Sequence, residues 1–331
     1  FVIFLIVFNV GNILAILAPS YEVLMLARIC TAIVSGVTLS TVMTFINDII
    51  PQEQAPRIIS FVYAGFSVAS VLGTPIGTLL SDAFGIKSAF VAVEAVALLV
   101  TVLLLISVPR SGSTDVSSSV REQLVILKDR RIILVLVMKA FGMAATYVFY
   151  VYVTPILEDS VGLSVWMVSL VLFFYGGATI VSNLGSGSLA QRYGLGKLPL
   201  MFALQAVVLV LLGVSLASGN TVLCIINVVL TGVFIYHMNA PLQSYLLQVS
   251  AKDYPRALTL ASAVMPTSSD IGIATGSFMG GVVATNLGFA WSGPVGAVLA
   301  VVSVVAAFMI LQPESRMGGS LRSRLRRNRK Q

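Results

Sequence analysis

Long apolar runs recur along the chain and are separated by short polar interruptions. The runs cover 1–17, 22–46, 58–81, 87–108, 132–155, 164–184, 198–217, 221–247, 257–283 and 288–311. An α-helix rises about 1.5 Å per residue, so about 20 residues cross a hydrocarbon layer of about 30 Å. The pattern therefore predicts ten membrane-spanning helices and an all-α polytopic membrane protein. Polar and apolar positions do not alternate, which argues against a transmembrane β-barrel. Several runs exceed the hydrocarbon requirement, so tilt or extension into the headgroups is expected. The connection 109–131 is longer than the others, rich in serine and charge, and reads as a linker. It separates a four-helix bundle at 1–108 from a six-helix bundle at 132–311, with a basic tail at 312–331.

Composition sharpens this reading. Hydrophobic residues make up 57% of the chain and charged residues 10%, against about 25% charged in a soluble domain. The formal charge of +7 does not point to nucleic acid, because seven of the 20 basic residues crowd between Arg316 and Lys330, directly after the last apolar run. Alternating helices sort the loop charges. Arg57, the linker cations, Arg192, Lys197, Lys252, Arg256 and the tail put seventeen on one side, and Lys87 stands alone on the other. The imbalance predicts that linker and tail face the cytoplasm, the tail lying beside anionic lipid. The first run then travels outward, and an even number of further spans is expected ahead of it. Phe1 opens inside an apolar run with no methionine and no basic leader, so the N-terminus reads as cut. Cys30 and Cys224 both fall in apolar runs, as small hydrophobes do.

A parallel repeat relates the two bundles. Pro56-Arg57 is followed by Gly73 and Gly77, and Pro255-Arg256 by Gly272 and Gly276, at a constant offset of 199. The next connection repeats loosely, Ala83-Phe84-Gly85-Ile86 against Asn286-Leu287-Gly288-Phe289. Both copies enter their helix from the predicted cytoplasmic side, as in transporters whose halves are related about the membrane normal. Six helices per repeat would leave the front bundle two helices short.

These residues resemble the major facilitator superfamily, and within it the bacterial twelve-helix drug:proton antiporter and sugar-efflux branch, similar to arabinose efflux permeases. The stretch Gly65-Phe66-Ser67-Val68-Ala69-Ser70-Val71-Leu72-Gly73-Thr74-Pro75-Ile76-Gly77-Thr78 resembles the family's fifth-helix antiporter motif. Leu26-Ala27-Arg28-Ile29-Cys30-Thr31-Ala32-Ile33-Val34-Ser35-Gly36 resembles its fourth-helix motif, with Thr31-Ala32 where glutamine and glycine are usual. Gly187-Ser188-Leu189-Ala190-Gln191-Arg192-Tyr193-Gly194 resembles the family's gating loop, with Gln191 in place of an acid. The resemblance covers essentially the whole chain and implies a major facilitator fold of two parallel pseudo-repeated bundles, with ten helices present as four plus six and the family's first two absent. It also implies alternating access, a bacterial inner membrane, and no cofactor beyond a proton gradient.

Ionisable groups within the runs are the candidates for coupling or cavity lining, because an uncompensated charge in hydrocarbon is costly. Asp270 lies mid-run beside Ser268, Ser269 and Gly272, too short to reach an interface. Arg28 sits about a third of the way in from the outer face, where anchoring at the headgroups and a cavity role both fit. Lys139 is seven residues past Ile132, about 10 Å deep; it can snorkel back or face a cavity and favour an anionic or polar substrate. Glu94 suits either headgroup contact near the outer end or coupling. His237, the sole histidine, belongs to the polar patch Tyr236-His237-Met238-Asn239 ahead of Pro241, where a broken helix is plausible. One histidine builds no metal site. Gly73 and Gly77, like Gly272, Gly276 and Gly280, recur every four positions and permit close helix approach, and Pro75 removes a backbone donor. In the resembled family, Gly187, Arg192 and Gly194 belong to gating.

No nucleotide-phosphate loop and no serine–histidine–carboxylate pattern is present, so the chain is not read as an enzyme. The expected function is proton-coupled efflux of a small organic molecule, a drug or sugar-like compound, by a monomer whose other partners are protons and membrane lipids. The alternative is a non-transporting membrane sensor or scaffold, or an inactive truncated transporter.

Overall fold

The computed structural model describes the backbone of residues 2–49, 55–107 and 124–328. The side chain of Arg57 and the linker before residue 124 lie outside the described residues. Two compact units form, Phe1–Ser117 and Ser118–Gln331, and among the described residues all regular structure is helical.

The first unit contains α1 (Val2–Leu17), α2 (Tyr21–Ile49), α3 (Ala55–Phe84) and α4 (Lys87–Ser107). α1 packs on both α2 and α4. Gly11 lets α1 approach α2, since a Cβ there would lie 2.5 Å from the Thr31 methyl. Asn9 ties α1 to α4, its Nδ2 donating to Thr101 Oγ1 at 2.9 Å and to its own helix at Leu5 O at 2.7 Å.

The second unit contains α5 (Arg130–Tyr150), α6 (Val165–Tyr193), α7 (Leu198–Ala217), α8 (Thr221–Phe234), α9 (Asn239–Asp253), α10 (Leu258–Asn286) and α11 (Ser292–Asn328). α5 is its hub, packed against both α10 and α11. Asp129 caps α5, accepting from Arg131 N at 2.8 Å, and Asn220 caps α8, accepting from Leu223 N at 3.0 Å.

Eleven helices of fourteen residues or more are thus described, where the apolar runs predict ten. The extra one arises because the run 221–247 is interrupted at 235–238. Pro241 has no N–H to donate, and its ring collides with the carbonyl four residues earlier, that of His237. The tail also departs from the expected end of the last span at 311, because the α11 backbone stays helical through Asn328. Arginine is the commonest residue of 312–328 and favours helix.

The repeat is visible in the backbone. α3 and α10 both end on a glycine in the left-handed region, Gly85 at φ 82° and Gly288 at φ 85°. Other residues pay for that conformation, which explains why the loosely matched connection keeps glycine in both copies.

Candidate functional site

The break between α8 and α9 leaves polar backbone groups inside a span, and side chains take them up. Tyr236 N donates to Ser182 Oγ of α6 at 2.9 Å, and Asn239 N donates to Tyr236 O at 3.0 Å. His237 Nδ1 pairs with the carbonyl of Phe234, so Nδ1 carries the proton and Nε2 is left as an acceptor. Nε2 is buried and has no hydrogen-bond partner among the described residues. The ring is 5% exposed and stands edge-on to Phe202, with centroids 4.9 Å apart. Satisfaction of freed groups by neighbouring side chains is what permits irregular backbone at membrane depth.

Lys139 of α5 reaches this break. It is 6% exposed, so it does not snorkel, and its Nζ donates to Asn239 Oδ1 at the start of α9. Asn239 Nδ2 in turn donates to Asn183 Oδ1 of α6 at 3.3 Å. Asp270 of α10 stands within electrostatic reach of Lys139 without forming a direct ion pair, and Tyr147 also feels its charge. His237 feels the charge of Lys139. Asp270 lies on an exposed face of the unit. Four of the sequence candidates, Lys139, His237, Asn239 and Asp270, therefore converge.

The glycines of α10 set that convergence. A Cβ on Gly272 or Gly280 would collide with the backbone carbonyl of Ala140 or Val148, and one on Gly276 would come 2.5 Å from Ala144 O. Ser268 Oγ donates to Leu136 O at 2.7 Å across the same contact. With α10 pressed to α5 at Gly272, Asp270 is carried alongside Lys139.

Asn183 and Ser182 escaped the sequence reading, although a polar pair in the middle of α6 was the available signal. Gln205 of α7 also escaped it; its Nε2 donates to Gly142 O at 2.9 Å and Thr146 Oγ1 at 3.0 Å, fixing α7 on α5.

The other candidates lie elsewhere. Glu94 is buried at 5% exposure between α4 and α1 beside Asn12. The Arg28 guanidinium lies over the Phe90 ring, 5.6 Å from its centroid. No described atom comes within 4 Å of where a Cβ would stand on Gly65, Gly73, Gly77 or Gly187; Pro75 is buried. Gly194 ends α6 at φ 55°, just after the exposed Arg192. Among the described residues no cluster of three or more His, Cys, Asp or Glu could hold a metal.

Comparison with known proteins places this geometry in context. The family pattern described as Major Facilitator Superfamily matches residues 1–259. YtbD, an uncharacterized MFS-type transporter of Bacillus subtilis (strain 168), is 31% identical over 300 residues, 90% of this chain and 75% of that protein. The inner membrane transport protein YdhP of Escherichia coli (strain K12) is 26% identical over 312 residues, 93% of this chain and 78% of that protein. Among solved structures, an inward-facing bacterial homolog of the human lysosomal transporter Spinster aligns with a TM-score of 0.67 at 16% identity, covering 94% of this chain and 82% of that one. An outward-facing bacterial homologue of the iron transporter ferroportin aligns with a TM-score of 0.63 at 15% identity, covering 94% and 83%. Both structural likenesses concern the fold.

Proposed function

Because this chain belongs to the major facilitator superfamily of secondary transporters, we propose that it expels a small organic molecule, drug- or sugar-like, from a bacterial cell by alternating access coupled to proton entry. The observation that carries this reading is the placement of Lys139 and Asp270 on facing helices beside a broken span. A carboxylate near a buried ammonium offsets its charge, and protonation removes that offset. With Asp270 ionised, its carboxylate accepts a hydrogen bond from a polar group of the substrate beside Lys139. Protonation of Asp270 from outside removes that acceptor and releases the substrate, so proton and substrate exchange in opposite directions. Asn239, Asn183 and the free Nε2 of His237 supply hydrogen bonds to an uncharged portion. The antiporter-like sequence around Gly73 and Gly77 supports the drug:proton branch. The seventeen-to-one charge imbalance supports a cytoplasmic linker and tail.

The test is accumulation in intact cells expressing the protein, measured with a panel of fluorescent drugs and labelled sugars. At least one compound is expected to accumulate less than in cells without the protein, and Asp270→Asn is expected to abolish that difference while expression holds. Equal accumulation with wild type and Asp270→Asn would reject a coupling role for Asp270.

A further inference from the structure

Within its unit α4 turns almost nothing inward. Over Lys87–Ile106 the mean hydropathy is 2.8, and a single described side chain is buried: the one acid, Glu94. It lies seven residues from Lys87, about 10 Å along the helix from its outer end. Neither carboxyl oxygen has a hydrogen bond of normal geometry, and the neighbouring Asn12 Nδ2 of α1 is likewise unmatched. One turn along α1, Asn9 Oδ1 is buried without a partner while its Nδ2 holds Thr101. The α1–α4 contact is thus a buried polar seam with an acid at its centre.

Among the described residues no cation answers that acid. α1 carries no ionisable side chain. From α2, Arg28 rests over Phe90, one turn from Glu94, and makes no ion pair with it. Lys87 of α4 itself is exposed and donates to Ala18 O at 3.4 Å. Of α3, the described ionisable group is Asp82, exposed near the helix end. A carboxylate buried between two helices with no cation beside it is costly at membrane depth, whereas a carboxylic acid beside an amide is not.

We propose that Glu94 is a proton-binding site of the first unit, distinct from Lys139 and Asp270. It holds a proton while α1 covers it and gives the proton to water when the seam opens. Asn12 is a positioning residue that offers an amide to whichever form is present. The site requires no transported compound, so it stands or falls apart from the efflux reading.

The test uses the wild-type chain in lipid nanodiscs and dicyclohexylcarbodiimide, an apolar reagent that adds to protonated carboxyl groups. Mass spectrometry of the digest reads the adduct. The adduct is expected on Glu94 at acid pH, its yield falling about tenfold per pH unit above the site's midpoint, as the protonated fraction does. Asp270→Asn is expected to leave that profile unchanged. Infrared difference spectra give an independent reading, with a carboxylic C=O band that shifts in D2O and disappears in Glu94→Gln. No adduct on Glu94 at acid pH, or a yield that ignores pH, would overturn the proposal.

Discussion

The glycine rows of α3 and α10 match in sequence at a constant offset, yet they differ in what surrounds them. Gly272, Gly276 and Gly280 place their α-carbons against the carbonyls of Ala140, Ala144 and Val148, leaving no room for a methyl group. At Gly73 and Gly77 no described atom stands within 4 Å of the position a methyl group would take. A small-residue row permits close approach without enforcing it. What converts permission into contact is a partner helix with small side chains, and α5 supplies one through Ala140 and Ala144. The same contact places Asp270 beside Lys139, so packing and chemistry share one helix pair in the second unit.

Substitutions sharpen this contrast. The largest effect is expected for Gly276→Leu, which forces α10 off α5 and should cost about 3 kcal/mol through overpacking; thermal unfolding in detergent measures it. Next is Lys139→Met. It strands Asn239 Oδ1 and removes the counter-charge of Asp270, and an unmatched buried polar group costs about 1–3 kcal/mol. The same assay reads that loss, and flux should fall with it.

Asp129→Asn comes third, at the N-cap of α5. Its carboxylate caps the helix and accepts from Arg131 Nη2 at 2.7 Å, while Arg131 also reaches Asp253 at 2.6 Å and Tyr254 donates to Asp129 at 3.2 Å. Arg131 holds the Asp129 carboxyl below its usual range, chiefly by hydrogen bonding. A depressed carboxylate stabilises the fold above its unfolded-state value of about pH 4, and the contribution is lost as pH falls through the folded value. Asn caps a helix about as well as Asp and half-exposed ion pairs add little, so the loss is at most about 1 kcal/mol and comes from the charge-assisted bonds to Arg131. Unfolding compared at neutral and acid pH should show the wild type approaching the variant only in acid.

The smallest effect is the one of opposite sign. Gly73→Ala adds a methyl where no described atom stands and replaces a poor helix former, so a gain of up to about 1 kcal/mol is expected. A destabilised Gly73→Ala would show that both rows pack tightly and would erase the contrast.

Much of this architecture was legible as hydropathy. The run 198–217 coincides with α7, Leu198–Ala217, because abrupt polar residues bound it on both sides. The helix break was legible in Pro241, but a run of apolar residues on either side disguised two helices as one. The convergence of Lys139 with Asn239 was hidden, since residues 100 positions apart meet only through tertiary packing. The orientation of Glu94 was equally hidden: α4 is apolar around its whole circumference, so no stripe marks an inward face. Asn183 carried a signal as a mid-span polar residue, though its partner was not deducible.

Flux through purified protein in proteoliposomes under an imposed pH gradient tests proton coupling at Lys139 and Asp270 most directly. The probe is any fluorescent drug or labelled sugar whose accumulation in cells the protein lowers. The expected result is transport by the wild type that accelerates at least tenfold when the gradient is imposed, and transport by Asp270→Asn that ignores it. Wild-type flux that is the same with and without the gradient would contradict the coupling.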